Sequence, residues 1–339
     1  MTYYRLNGLP ETAPMDLYPL TFDPIYVPKI WGGRNLARLF GRDLPSGQAI
    51  GESWELADLP SAVSVVRDGP LAGRGLDELT RRLGPALLGP GRPAADGRFP
   101  LLLKFLDATD ILSLQVHPDA EAAARIGRGA VAKSECWYVV ESRRGFIYRG
   151  LLPGVSLEQF RLAVEQDQAH RFVRRLDVSA GQLHALPPGT VHALGAGVVV
   201  AEVQTPSETT YRVTDWGRGR EIHVEQSMQC IRAGLEPAAA TDEGDCLDMT
   251  VFRVCRRRLD AGRALELPRG RLVALMVIDC APGTCVRHAG SVMPQVDLAP
   301  GRTVLLPADL RAAQVVAGGP ALLLEVTLGE AAGGEQKLP

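Results

Sequence analysis

The 339-residue chain has almost no net charge: 37 lysines and arginines stand against 39 aspartates and glutamates, for a formal −2. That balance offers nothing to a phosphodiester backbone or an anionic lipid surface, so neither nucleic acid nor membrane is expected as a partner. Long apolar runs are missing as well. No stretch approaches a bilayer-spanning length, and the opening Met1-Thr2-Tyr3-Tyr4-Arg5-Leu6-Asn7 has no apolar signal core, so a cytoplasmic protein is expected. Cysteine is scarce: six residues, with no Cys-x-x-Cys pair. Several (Cys136, Cys255, Cys280) sit in apolar strand contexts, and reduced, inert core thiols are expected.

What is present is 46% hydrophobic and 22% charged, a soluble globular composition with length enough for two cores. Extended patterns dominate, at 20–27, 51–57, 62–66, 99–107, 111–117, 133–140, 146–150, 178–192 and 198–204, then at 249–253, 272–278, 303–306 and 321–327. Helical spacing is confined to short pieces: 35–40, 76–88 (stopped by Gly89-Pro90), 118–125, and 156–167 with Ser156 as N-cap. Residues 171–176 continue that last helix or form a separate turn. Many short strands with glycine and proline turns fit a small β-barrel or a double-sheet jelly roll. A faint repeat supports two of them, since Gly181-x-x-x-x-Leu186-Pro187 matches Gly301-x-x-x-x-Leu306-Pro307 at an offset of 120, and Glu202-Val203 resembles Glu325-Val326. The expected division is 1–235 with helical excursions near 76–88 and 156–176, a linker at 236–248, and a second β-domain at 249–339.

Polar residues inside strand-like runs carry the chemical signal. In an extended strand, residues two apart share a face. Gln115 and His117 therefore point together, as do Lys133, Glu135 and Trp137, while His192 follows a Pro-Pro-Gly turn at a strand start. Inward charges are costly unless paired or bound to metal, and one Gln, two His and one Glu form a mixed N/O set that zinc accepts with room for substrate. Lys104 interrupts the apolar run 99–107 and is expected to face a phosphate. Glu202 and Gln204 lie in phase on one strand, and Glu208 and Arg212 follow four residues apart. His184 and His223 are expected to be structural, and His170 and His288 to be on the surface. The position matching His192 in the second copy is Ala312, so only the first copy is expected to hold metal.

Gln115-Val116-His117-Pro118, Lys133-Ser134-Glu135-Cys136-Trp137, Gly189-Thr190-Val191-His192-Ala193 and Thr209-Thr210-Tyr211-Arg212-Val213-Thr214-Asp215-Trp216 closely resemble type I mannose-6-phosphate isomerases (phosphomannose isomerases). Trp31-Gly32-Gly33 and Gly51-Glu52-Ser53-Trp54-Glu55 belong to the same likeness, which is greatest to the short bacterial form. The resemblance implies two cupin-like jelly rolls (double-stranded β-helices) and a single zinc ion on Gln115, His117, Glu135 and His192. It also implies Lys133 and Arg212 beside a sugar phosphate, and Lys104 as a further contact. Glu208 stands where the family usually has an aspartate. The implied reaction is aldose–ketose isomerisation of mannose 6-phosphate through a cis-enediol. Other expectations from the same residues are a cupin isomerase or epimerase for another phosphosugar, and a non-catalytic sugar-binding cupin. Monomer and homodimer are equally compatible with the sequence.

Overall fold

The computed structural model describes residues 16–235, 245–290 and 292–329. Twelve strands lie in the N-terminal half: β1 (Leu20–Thr21), β2 (Ile25–Gly33), β3 (Ile50–Leu56), β4 (Leu102–Ala108), β5 (Leu114–Val116), β6 (Glu135–Ser142), β7 (Phe146–Leu151), β8 (Val173–Asp177), β9 (Leu183–Leu186), β10 (His192–Leu194), β11 (Val198–Gln204) and β12 (Tyr211–Thr214). Nine follow: β13 (Cys246–Asp248), β14 (Phe252–Leu259), β15 (Ala264–Glu266), β16 (Val273–Cys280), β17 (Cys285–His288), β18 (Gln295–Asp297), β19 (Thr303–Leu306), β20 (Ala313–Val316) and β21 (Ala321–Leu328). The helices are α1 (Asn35–Phe40), α2 (Leu76–Leu83), α3 (Pro85–Leu88), α4 (Ala120–Ile126), α5 (Leu157–Glu165) and α6 (Val224–Cys230). None among the described residues is long and apolar enough to cross a membrane.

The protein is mainly β, and its pairings are antiparallel. The N-terminal half pairs a six-stranded sheet, β2-β3-β4-β11-β6-β9, with a five-stranded one, β12-β5-β10-β7-β8. The C-terminal half has sheets β1-β19-β16-β21-β14-β13 and β15-β20-β17-β18. Adding ten to each strand number in β4-β11-β6-β9 and β5-β10-β7-β8 gives the order of the second half, so the weak sequence repeat corresponds to a repeat of topology. Strands β1, β2 and β12 fall outside the repeat, and β1 pairs with β19, tying residues 20–21 into the C-terminal sheet.

Period-two alternation explains the layering. Leu103 and Phe105 of β4 turn one way, into the largest apolar cluster, where Ala274 and Met276 of β16 and Leu324 and Val326 of β21 meet them. Leu106 turns the other way, into a second cluster with Val139, Val200, Ile147 and Leu194 between the two N-terminal sheets. Val273, Leu275, Val286, Val304 and Leu323 fill the C-terminal sandwich. The sheets therefore stack in four layers, with the two six-stranded sheets back to back and α2 and α3 contributing Leu76, Leu79, Leu87 and Leu88 to the shared core.

Several local expectations need correction. The helix expected over 76–88 is two helices, because Gly84 adopts φ +47 between them. Residues 62–66 make isolated bridges instead of a strand, and 173–177 are a strand instead of helix or turn. Helix α6 has no counterpart in the sequence reading. The cysteines are not all thiols: Cys246 and Cys255 form a disulfide, because pairing of β13 with β14 sets them directly opposite. Cys136, Cys230, Cys280 and Cys285 are free and buried. His288 is buried too, its Nε2 bonded to the Val292 and Met293 carbonyls by the turn that follows it. Of the expected linker, 236–244 lies outside the described residues and Cys246–Asp248 are β13.

Candidate active site

The expected ligands come together at one end of the N-terminal sandwich. Gln115 lies in β5 with His192 directly opposite in β10. His117 follows β5 immediately and Glu135 opens β6. Ligand atoms of His117, Glu135 and His192 lie within 4.8 Å of one another, and all three residues are buried. Glu135 lies centrally, its Oε1 2.8 Å from His192 Nε2 and its Oε2 3.4 Å from His117 Nε2. Gln115 joins them, its side-chain amide nitrogen 3.3 Å from His192 Nε2; amide N and O are interchangeable by a flip, so the carbonyl can face the same point.

The rings are held for this purpose. His117 Nδ1 lies 2.9 Å from the Thr209 carbonyl and His192 Nδ1 2.9 Å from that of Thr190. A ring N–H donated to a carbonyl fixes the tautomer and leaves Nε2 as a lone-pair donor. Burial first, then the Lys133 charge, pushes His117 down to about 3, so its imidazole is neutral at ordinary pH. Burial would raise Glu135, but Lys133 and the two histidines hold it well below the usual carboxylate range. Among the described residues His117 Nε2 and both Glu135 carboxylate oxygens are buried with no hydrogen bond of regular geometry, their near neighbours being one another, His192 Nε2 and the Lys133 ammonium. Orphaned buried acceptors converging on one point are what a divalent cation satisfies, so this donor set fits a metal ion.

Beside the cluster lies a cavity of about 250 Å³, lined by Lys29, Trp31, Glu52, Trp54, Lys104, Gln115, Lys133, Trp137, Glu202, Glu208, Arg212 and Arg220 among others. Lys133 Nζ is 2.9 Å from Glu135 Oε2. Lys104 lines the cavity but is already paired there: it sits 3.5 Å from Glu52 and 3.4 Å from Glu202 and over the Trp54 ring. Burial alone would lower it, but those carboxylates raise it above its ordinary value. Glu202 is raised by burial first and then by Glu135, although Lys104 and a 2.8 Å bond from Trp137 Nε1 oppose this. Glu208 is exposed at the rim and accepts a 3.0 Å bond from Ser61. Arg212 lines the wall, while Gln204 is turned to the Thr205 and Ser207 carbonyls. His184 is buried in β9 directly opposite Trp137, and His223 precedes α6 and accepts from the Arg212 N–H.

Sequence reasoning did not single out Lys29 and Arg220, and gave Glu52 no role in the cavity. Glu52 was legible only as an alternating strand residue, and Arg220 as one charge in a polar turn. Register supplies what was missing: Trp54 and Glu202 both lie opposite Lys104.

Fold and site define a two-sandwich β protein with a metal-capable pocket in its first sandwich. A family model for the phosphomannose isomerase type I catalytic domain matches residues 20–145. Mannose-6-phosphate isomerase of Streptococcus mutans is 40% identical over 221 residues, 63% of this chain and 67% of that protein. A mannose-6-phosphate isomerase of Bacillus subtilis is 37% identical over 238 residues, 67% and 72% of the two chains. The crystal structure of mannose 6-phosphate isomerase from Bacillus subtilis superposes with a TM-score of 0.78 at 25% identity, over 91% of this chain and 99% of that one. The chain belongs to the type I phosphomannose isomerase family.

Proposed function

We propose that the chain interconverts mannose 6-phosphate and fructose 6-phosphate, moving a proton between C1 and C2 through a cis-enediol intermediate. The observation that carries this reading is the convergence of orphaned buried donors of His117 and Glu135 beside a cavity rich in cations. Gln115, His117, Glu135 and His192 would hold one ion per chain, and zinc suits this mixed N/O set. Bound there, zinc would act as a Lewis acid toward the sugar's C1 and C2 oxygens.

The chain's own groups take the remaining work. Lys133, with its ammonium 2.9 Å from Glu135, neutralises charge developing on the sugar oxygens. Arg212 holds the far end of the substrate. Glu208, a carboxylate at the cavity rim, carries the proton, whereas Glu202 is locked between Lys104 and Trp137. Lys104 contacts the sugar while balancing the two carboxylates that flank it. Catalysis is assigned to the N-terminal sandwich, and the C-terminal sandwich, which begins with β13, is taken as a metal-free unit. The aliphatic filling of the second sandwich supports that division.

Metal analysis and a coupled isomerase assay test the reading together. The purified protein should carry about one ion per chain, convert mannose 6-phosphate, stop when a chelator strips the ion, and recover with zinc. Turnover of glucose 6-phosphate instead would redirect the substrate to another phosphosugar. Full activity after complete metal removal would sink the metal's role.

A further inference from the structure

Each lysine of the cavity faces a carboxylate. Lys29 lies 2.9 Å from Glu52, Lys104 lies between Glu52 and Glu202, and Lys133 is on Glu135. Of the two arginines of the cavity, Arg220 is paired with the Asp215 carboxylate and, among the described residues, Arg212 with none. Arg212 has its Nε buried without a partner among the described residues, and its Nη1 makes one long 3.4 Å bond to the Glu221 carbonyl. Burial first, and then the neighbouring Arg220 charge, holds the Arg212 guanidinium below its ordinary value. Two guanidinium groups on the wall of one cavity, one of them with a buried and unpartnered Nε, suit a dianion bound between them.

Arg220 is aimed by a buried residue outside the cavity lining. Asp215 is 2% exposed. It accepts from Arg220 Nε at 2.9 Å, from Arg220 Nη2, from the Arg220 backbone N–H at 3.3 Å, and from Arg218 Nη2 at 3.1 Å. Arg218 in turn donates to the Ile111 carbonyl at 2.7 Å, and Trp216 Nε1 to the Leu112 carbonyl at 2.7 Å. The turn is thus pinned beside Leu112, which lines the cavity. Trp216 has φ +57, a left-handed conformation seldom adopted by so bulky a residue. Backbone strain of this kind persists where the surroundings over-determine it and is frequent at ligand clamps.

We propose that Arg220 and Arg212 together clamp the phosphate of the bound sugar, and that Asp215 is a positioning residue that sets the angle of the Arg220 fork. This rests on the phosphosugar reading above. The test uses full-length metal-loaded protein and two readouts, steady-state kinetics with mannose 6-phosphate and calorimetric binding of inorganic phosphate. Arg220→Met should raise KM about 10- to 100-fold, the worth of one or two charge-assisted bonds, with kcat within about threefold. Phosphate affinity should fall in parallel, and Arg220→Lys should recover part of both. Asp215→Asn should raise KM in the same manner. Because Asp215 acts through Arg220, the double variant should be no worse than Arg220→Met alone.

Unchanged KM and phosphate affinity in a folded Arg220→Met enzyme would overturn the clamp. Additive effects in the double variant would overturn the positioning role of Asp215. A protein that binds inorganic phosphate through Arg220 yet never converts mannose 6-phosphate would keep the clamp and discard the isomerase reading.

Discussion

Glu52 shows how the cavity manages its charges one residue at a time. It is nearly buried, so desolvation would raise it, yet Lys104, Lys29 and a 2.7 Å bond from Trp54 Nε1 bring it down from 4.5 to about 2. A carboxylate depressed in the folded state stabilises the fold fully above its unfolded value, and that contribution drains away as pH falls through the folded one. Glu52→Gln should therefore be less stable than the parent at pH 7, by on the order of 1–3 kcal/mol. The gap should close between pH 4.5 and 2, which urea melts across that range would measure. A gap that stayed constant with pH would mean that the ammonium groups do not sense this carboxylate. The metal-capable quartet, by contrast, was legible in the sequence because alternation within a strand and a Pro-Pro-Gly turn are local signals. The Glu52–Lys104–Glu202 sequence of charges was not, since it depends on which strands become neighbours. Lys104 was accordingly expected to meet a phosphate and is found between two carboxylates.

At the scale of elements, the turn before β10 has little tolerance. Gly189 has φ +87, and a Cβ there would lie 2.8 Å from Arg232 Cγ and 3.0 Å from the Cys230 carbonyl oxygen. Its N–H bonds the His117 carbonyl at 2.9 Å, so this one residue links the segments bearing two of the expected ligands. Gly189→Ala should cost about 1–3 kcal/mol of stability through a strained backbone. It should also weaken metal retention against a chelator at least several-fold, by displacing His192 relative to His117. Loss of stability with metal retention intact would show that the turn and the ligand set are uncoupled. Turn chemistry of this sort was visible in the sequence, as was one cap: Ser156 caps α5 as expected, and Gln159 returns the bond to its backbone. Interruptions were harder to see. The leucine spacing of 76–88 runs straight through Gly84, and only the φ of that residue, imposed by packing, divides the helix.

On the whole-molecule scale, the two halves share a topology but differ in what fills them. In the first sandwich, polar side chains replace apolar ones at one end, whereas the interior of the second is aliphatic, with Leu275, Val286, Val304 and Leu323 filling the space. The weak sequence repeat sufficed to anticipate the shared topology, because its glycine, leucine and proline spacing is readable without coordinates. How the halves join was not readable. The largest apolar cluster lies between them, holding Phe105 and Tyr138 from one side and Phe252, Met276 and Val326 from the other. Arg42, in a buried pair with Glu55, donates to the Gly301 carbonyl of the other half, and β1 is hydrogen-bonded into the C-terminal sheet. Burying apolar surface stabilises by about 25 cal/mol per Å², so an N-terminal half deprived of its partner must expose its main core to water. A fragment ending at residue 235 retains all four expected ligands, yet it should aggregate or bind a hydrophobic dye and retain no metal. Co-expression with 245–329 should restore a soluble complex. A monomeric, metal-loaded fragment with a cooperative melt would show instead that the first sandwich is stable alone, and that the shared core is dispensable to the site.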